Sequence, residues 1–167
     1  DASVGGKVAV DFRDGKNHVG AFYQPCLVVA DPALFETLPP KEVRNGAAEV
    51  IKYGFLRGAA LLDQVEAAVP AQAYGEEIVA GCVAAKAEIV EKDEREEGGE
   101  RQLLNLGHTI GHAIEVAGGF GWRSHGEAVA LGLRATLWLS QRLTGLPDAQ
   151  AEEGQALLSW AGLPERL

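Results

Sequence analysis

The sequence predicts a mainly α fold, a multi-helix domain with a short β-strand and loop segment at its N-terminus. Two observations predict it. From Pro32 onward, apolar residues recur at helical spacing in successive segments, each bounded by Pro, Gly or an acidic turn. Ahead of Pro32, two short β-prone runs lie between Gly-rich turns, VAVDF at 8–12 and CLVVAD at 26–31. They are too few to make a sheet of their own, so a hairpin or sheet edge is expected.

Asp31 followed by Pro32 is an N-cap and first-turn pair. Residues 40–54 carry Val43, Ala47, Val50 and Ile51 at helical spacing. A second helix is expected over 59–69, stopped by Pro70. A third, over 73–95, has an apolar face of Ile78, Val79, Cys82, Val83, Ala87, Ile89 and Val90. The run DEREEGGE at 93–100 reads as a turn. A fourth helix is expected over 103–116, ended by Gly118 and Gly119. The fifth, over 127–143, is strongly apolar and belongs at the centre of the core. A sixth runs from about Ala149 to Ala161.

With 167 residues the chain can form one domain with a real core, but not two large ones. Its hydrophobic content of 47% excludes a disordered chain. A formal charge of −9 argues against binding nucleic acid or an anionic membrane through bulk charge. It leaves room for a small anion held by a local cluster of Lys and Arg. Cys26 and Cys82 form no CxxC pattern and read as reduced, buried thiols of a cytoplasmic protein. No stretch reaches the ~20 apolar residues that a membrane span needs. The opening DASVGGK lacks the basic start and apolar core of a secretory signal. It also lacks Met and sits inside a Gly-rich motif, which reads as a piece of a longer protein.

The histidines draw attention next. His108, His112 and His125 lie close in sequence, and the spacing of His108 and His112 puts them on one helix face, one turn apart. A metal site or a catalytic pair uses that spacing; so do two histidines on a polar helix face. Gly107 and Gly111 each precede a histidine, and glycine in a helix is unfavourable unless something approaches closely. His125 follows a Gly/Trp loop and opens HGEAVALG. A catalytic zinc site has three protein ligands and an open position. Glu49, in the otherwise apolar AAEVIKYG, is the best third candidate; its alternative is a surface residue paired with Lys52 or Lys41. Lys7, Lys16, Lys52, Lys86 and Arg101 are cations in Gly-, Asn- or Ala-rich contexts, where a solvated surface role is the common one. VGGK lacks the GxxxxGK(S/T) spacing, which excludes a P-loop.

The ordered set DASVGGK, GKNHVGAFYQP, LFETLPP, AAEVIKYG, KAEIV with DERE, RQLLNLGHTIGHAIE and HGEAVALGL resembles 3-dehydroquinate synthase, of the sugar-phosphate cyclase superfamily. Each motif is weak alone, and the order is specific. The resemblance runs from Asp1 to about Leu146. It implies a full-length protein with an N-terminal α/β NAD-binding domain and a C-terminal helical domain for metal and substrate. Residues 1–31 would be the remnant of the first, and 32–167 a helical metal- and substrate-binding domain truncated at its C-terminus.

By motif, Glu49, His108 and His125 resemble the ligands of Zn2+ or Co2+. His112 resembles a catalytic or substrate-contacting histidine. Asp1, Asn17, Lys52, Lys86, Arg101 and Asn105 resemble the substrate pocket, as does Lys7. Lys7 and Lys16 also fall where the family meets NAD, together with Leu34, Phe35, Glu36 and Thr37. His18 is given no role.

The implied reaction converts 3-deoxy-D-arabino-heptulosonate 7-phosphate to 3-dehydroquinate and phosphate. A secondary alcohol is transiently oxidised by NAD, phosphate is eliminated, the ketone is reduced back, and the opened ring closes by an aldol step. A cytoplasmic homodimer is implied for the full-length protein. The family's Gly-rich NAD loop and its C-terminal substrate-binding Lys do not occur in this sequence, so the chain alone is expected to be inactive. Another cyclase, of the 2-epi-5-epi-valiolone or 2-deoxy-scyllo-inosose synthase type, is the nearest alternative. Arg101 and Asn105 suit a carboxylate-bearing substrate and favour dehydroquinate synthase. A metal-dependent alcohol dehydrogenase fits the histidine spacing less well. A non-catalytic metal-binding or dimerisation domain is the alternative from another class.

Overall fold

β1 (Lys7–Phe12) and β2 (Gly15–Phe22) pair antiparallel, with Lys7 opposite Phe22 and Val10 opposite Val19, and with an irregularity between Val10 and Phe12. The computed structural model describes every residue but 1, 14 and 120, and only the backbone at 11, 15 and 16. A two-stranded hairpin alone is marginal in water. Arg101 ties this one down: its Nη2 donates to the Gly5 carbonyl at 2.6 Å, and its guanidinium lies 5.7 Å from the Phe22 ring centroid. The strand expected over 26–31 does not form. A strand needs a neighbour for its backbone groups, and no described residue pairs with this run; Leu27 and Val29 are exposed.

A 3₁₀ turn over Pro32–Thr37 follows, capped by Asp31, whose Oδ1 accepts from the Ala33 N–H at 3.0 Å. Six α-helices follow among the described residues: α1 (Pro40–Arg57), α2 (Ala59–Ala68), α3 (Glu76–Lys92), α4 (His108–Ala117), α5 (His125–Leu143) and α6 (Asp148–Trp160). Most bounds lie within three residues of those expected. The exception is α4, expected from residue 103. Residues Glu100–Asn105 form a separate 3₁₀ turn, and Gly107 at φ +76° divides it from α4. Glycine takes that left-handed conformation readily, and a Cβ there would sit 2.8 Å from Leu133. At α5, the Ser124 N–H donates to the Glu127 carboxylate at 2.9 Å, closing a capping box that starts the helix at His125.

The α5 helix is central, as its apolar sequence predicts. Gly126 and the run from Ala128 to Leu133 are buried, in a core shared with Ala47, Ala48 and Ile51 of α1 and Leu157 and Leu158 of α6. Two glycines let backbone meet backbone. A Cβ on Gly132 would lie 1.8 Å from the Gly107 carbonyl oxygen, and one on Gly126 would lie 2.3 Å from the Asn45 carbonyl oxygen. The start of α4 and the first half of α1 are thereby pressed onto the start of α5. Cys82 is buried as expected, but Cys26 is exposed, because it sits in the unpaired run that forms no strand. Among the described residues, no helix is long and apolar enough to cross a membrane.

Candidate metal centre and anion cleft

The close approach of three helices brings together residues far apart in sequence. Glu49 lies midway along α1, while His108 and His125 are the first residues of α4 and α5. Glu49 Oε1 is 3.2 Å from His108 Nε2 and 3.5 Å from His125 Nε2. One donor atom from each of the three lies within 4.8 Å of the others, which is compact enough for one ion. Both helices also turn their positive N-terminal ends towards this point, which favours anions nearby.

The chemistry of the donors fits a metal. Lys52, only 3% exposed, places Nζ 2.5 Å from Glu49 Oε2. The contact is an ion pair without hydrogen-bond alignment, so Oε2 is buried with no hydrogen-bond donor among the described residues. Burial works to raise the Glu49 carboxyl, but the hydrogen bonds from His108 and His125 and the Lys52 charge outweigh it and hold the group far below the usual carboxylate range. Glu49 is therefore an anion with lone pairs to offer. On His108, Nδ1 meets the Leu106 carbonyl at 3.1 Å, which places a proton on Nδ1; Nε2 faces Glu49 at 3.2 Å and would become the ligand atom once an ion replaces its proton.

Beside this group opens a cleft of about 250 Å³ whose walls include Lys7, Lys52, Lys86, Arg101 and Asn105. Four cations face two carboxylates there, Glu49 and Glu96, so the cleft is locally positive in an acidic chain. Arg101 is buried, and its guanidinium also donates to the Glu94 carbonyl as well as to Gly5. Lys7 pairs with Glu96, and Asn105 Nδ2 lies 3.5 Å from the same carboxylate. A larger groove of about 690 Å³ runs between α2 and the α5–α6 pair, but it is lined by Leu62, Leu137 and Leu146 with Asp63, Glu66 and Glu153, and offers no such donor set.

Of the residues singled out from sequence, the cleft gathers Glu49, His108, His125, Lys7, Lys52, Lys86, Arg101 and Asn105. His112 stands beside it, its ring centroid 5.5 Å from that of His108 and 6.1 Å from that of His125, with a side chain 58% exposed. Asn17 lies on β2, with φ 56°, and is not a wall of the cleft. Leu34, Phe35, Glu36 and Thr37 form the exposed 3₁₀ turn. Asp1 and the Lys16 side chain lie outside the described residues.

Sequence reasoning passed over three participants. Tyr53 is a buried wall whose ring lies 4.7 Å from Lys52 Nζ. Glu96 reaches into the cleft from the acidic turn. Glu115, on α4, is buried against His125. The S-x-x-E signature at Ser124 and Glu127 was a readable signal for the first position of α5. A buried Glu115 carried only a weak one, an acid amid the apolar AIEVA.

Family models match the whole chain: one described as 3-dehydroquinate synthase C-terminal over residues 46–167, and one described as 3-dehydroquinate synthase N-terminal over residues 1–45. The chain belongs to the 3-dehydroquinate synthase family. A 3-dehydroquinate synthase of Methylacidiphilum infernorum is 43% identical over 98% of the chain, and one of Nitrobacter hamburgensis is 49% identical over 100% of it. The chain spans about half the length of these relatives, 45% of each. Among solved structures, a 2-epi-5-epi-valiolone synthase from Streptomyces hygroscopicus, with NAD+ and Zn2+ bound, superposes with a TM-score of 0.90 at 26% identity, over 100% of this chain and 48% of its own. A 2-deoxy-scyllo-inosose synthase complexed with carbaglucose-6-phosphate, NAD+ and Co2+ superposes with a TM-score of 0.84 at 29% identity, over 97% of this chain and 46% of its own. The part of the 3-dehydroquinate synthase family represented here is mainly helical, with a short leading hairpin.

Proposed function

We propose that this chain supplies the metal centre and much of the substrate cleft of a 3-dehydroquinate synthase, which releases phosphate from 3-deoxy-D-arabino-heptulosonate 7-phosphate and closes the carbon ring. The observation that carries the reading is the convergence of Glu49, His108 and His125 beside a cleft walled by Lys7, Lys52, Lys86 and Arg101. Glu49 Oε, His108 Nε2 and His125 Nε2 would hold Zn2+ or Co2+, which when bound acidifies and orients the hydroxyl groups of the sugar. NAD serves as the transient hydride acceptor in this proposal. Lys7 lies at the cleft; Leu34 to Thr37 sit on an exposed turn, and the described residues do not by themselves enclose a dinucleotide.

The chain's own groups bind and orient. Lys52, Lys86 and Lys7 meet the phosphate as point charges, and Arg101, already anchored by two backbone carbonyls, presents its remaining donors to a carboxylate. Asn105 donates from the adjoining wall. His112, exposed beside the metal centre, moves protons at near-neutral pH. The division into a front segment, residues 1–31, and a helical part, 32–167, belongs to the same proposal; the two family models meet between Asn45 and Gly46, inside α1. So do the homodimeric state, to be checked by sedimentation, and a cytoplasmic location.

Turnover of the complete protein tests the reading. Phosphate release is expected from the carboxylate-bearing heptulosonate phosphate and not from sugar phosphates lacking the carboxylate. The opposite preference would move the protein to another cyclase class.

Lys86 gives a proton-linked test of the cleft. Burial, reinforced by the charges of Lys52 and Arg101, brings its ammonium down to about 8. A bound anion favours the charged form and raises that value again. Between about pH 8 and the ordinary lysine value of about 10.4, anion binding should therefore take up a proton and weaken as pH rises. Calorimetry of sulfate binding at about pH 9, in two buffers of different ionisation enthalpy, should show uptake approaching one proton, lost in Lys86→Met. Equal heats in the two buffers would rule this linkage out.

A further inference from the structure

Glu115 is a carboxylate to which the proposed chemistry gives no part. It projects from α4 towards the start of α5 and is only 5% exposed. A buried carboxylate is strongly unfavourable unless its surroundings compensate it. What it meets is the rear of the metal centre. Both of its oxygens lie 3.4 Å from His125 Nδ1, and one lies 4.0 Å from His112 Nε2. His125 is thus approached at both ring nitrogens, by Glu115 at Nδ1 and by Glu49 at Nε2. His108 shows the same arrangement with a different acceptor, the Leu106 carbonyl at Nδ1 and Glu49 at Nε2.

We infer that Glu115 is a positioning residue for the metal centre. Its carboxylate accepts from Nδ1–H of His125, fixes the ring's orientation, and leaves the Nε2 lone pair aimed at the ion. A carboxylate behind a ligand imidazole also raises its basicity, which strengthens the bond it makes. The inference rests on the reading of Glu49, His108 and His125 as ligands. A competing use of the same atoms exists: Glu115, His112 and His125 also lie within 4.8 Å of one another and could hold an ion of their own. That use is disfavoured, because an ion at Nδ1 must displace the proton of an imidazole already committed through Nε2, and because His112 is mostly in solvent.

The experiment is zinc content and chelator-competition affinity of the complete protein, unaltered and as Glu115→Leu and Glu115→Gln. Leucine keeps the volume and removes the acceptor; glutamine keeps an acceptor oxygen. The unaltered protein should hold one equivalent. Glu115→Leu should bind zinc ~10–100-fold more weakly, the usual effect of losing such a partner, and Glu115→Gln should recover part of that loss. The visible spectrum of the cobalt-loaded protein should change in Glu115→Leu and stay near the original in Glu115→Gln. A merely structural Glu115 would lower the melting temperature of the metal-free protein and leave zinc affinity of the folded fraction unaltered, which overturns the inference. Two equivalents falling to one in Glu115→Leu would make Glu115 a ligand and overturn it too. No zinc in the unaltered protein would overturn the metal reading itself, and this inference with it. Should Glu115→Leu fail to fold, nitrogen NMR of the zinc-loaded, unaltered protein decides: a proton on His125 Nδ1 supports the inference, and metal at Nδ1 overturns it.

Discussion

His108→Ala is expected to lose the metal and all turnover, while His112→Ala keeps about one equivalent of metal and turns over ~10²–10⁴-fold more slowly, the usual loss on removing general acid–base help. The two histidines are one helical turn apart, yet their surroundings differ. His108 is mostly buried, with Nδ1 on a backbone carbonyl and Nε2 on Glu49. His112 is mostly exposed and has Glu115 Oε2 at 4.0 Å. Because His112 sits at the surface, its truncation should change stability by no more than about 0.5 kcal/mol. Metal content, melting temperature and turnover of both variants check this. If His112→Ala strips the metal as fully as His108→Ala, the roles assigned to the two are wrong.

Among the described glycines, Gly132→Ala should be the most damaging. Its Cβ would fall 1.8 Å from the Gly107 carbonyl oxygen, backbone against backbone, where no rotamer change can make room. Overpacking a core typically destabilises by about 1–3 kcal/mol, and a contact this short belongs at or beyond the upper end. Relief requires the start of α4 to move off α5, which carries His108 away from Glu49 and His125. Melting temperature and zinc affinity should therefore fall together. Gly46→Ala is the control: it lies on α1 with nothing within 4 Å of its Cβ position, and alanine there should stabilise by roughly 0.5–1 kcal/mol. A Gly132→Ala protein that melts like the unaltered one would disprove the close approach.

Much of this fold was readable in one dimension. Helical periodicity with Pro and Gly stops located the six α-helices of the described residues, and Asp31 marked the 3₁₀ turn ahead of them, because those signals are local and act through the backbone within a turn or two. The glycines before His108 and His112 rightly pointed to close contact, and the contact proved to be with α5. Periodicity failed over residues 103–107, where apolar Leu103, Leu104 and Leu106 mimic a helix but Gly107 turns left-handed, with Leu133 packed where a Cβ would sit. It failed again at 26–31, since β-propensity cannot supply a partner strand.

The sequence by itself determined which residue types stand where: an acid in an apolar stretch of α1, two histidines one turn apart on the fourth helix, a third histidine opening the fifth, and cations in between and ahead of them. Only the tertiary structure decided that these meet. The distance from Glu49 to His108 depends on how α1, α4 and α5 pack, and that packing is set by backbone contacts at Gly126 and Gly132 that no local pattern encodes. Packing also brought the buried Glu115 of α4 to Nδ1 of His125, which turns Nε2 towards the centre. A side chain's partners across a helix interface are settled by burial and geometry in three dimensions, whereas spacing along the chain settles only which face it occupies.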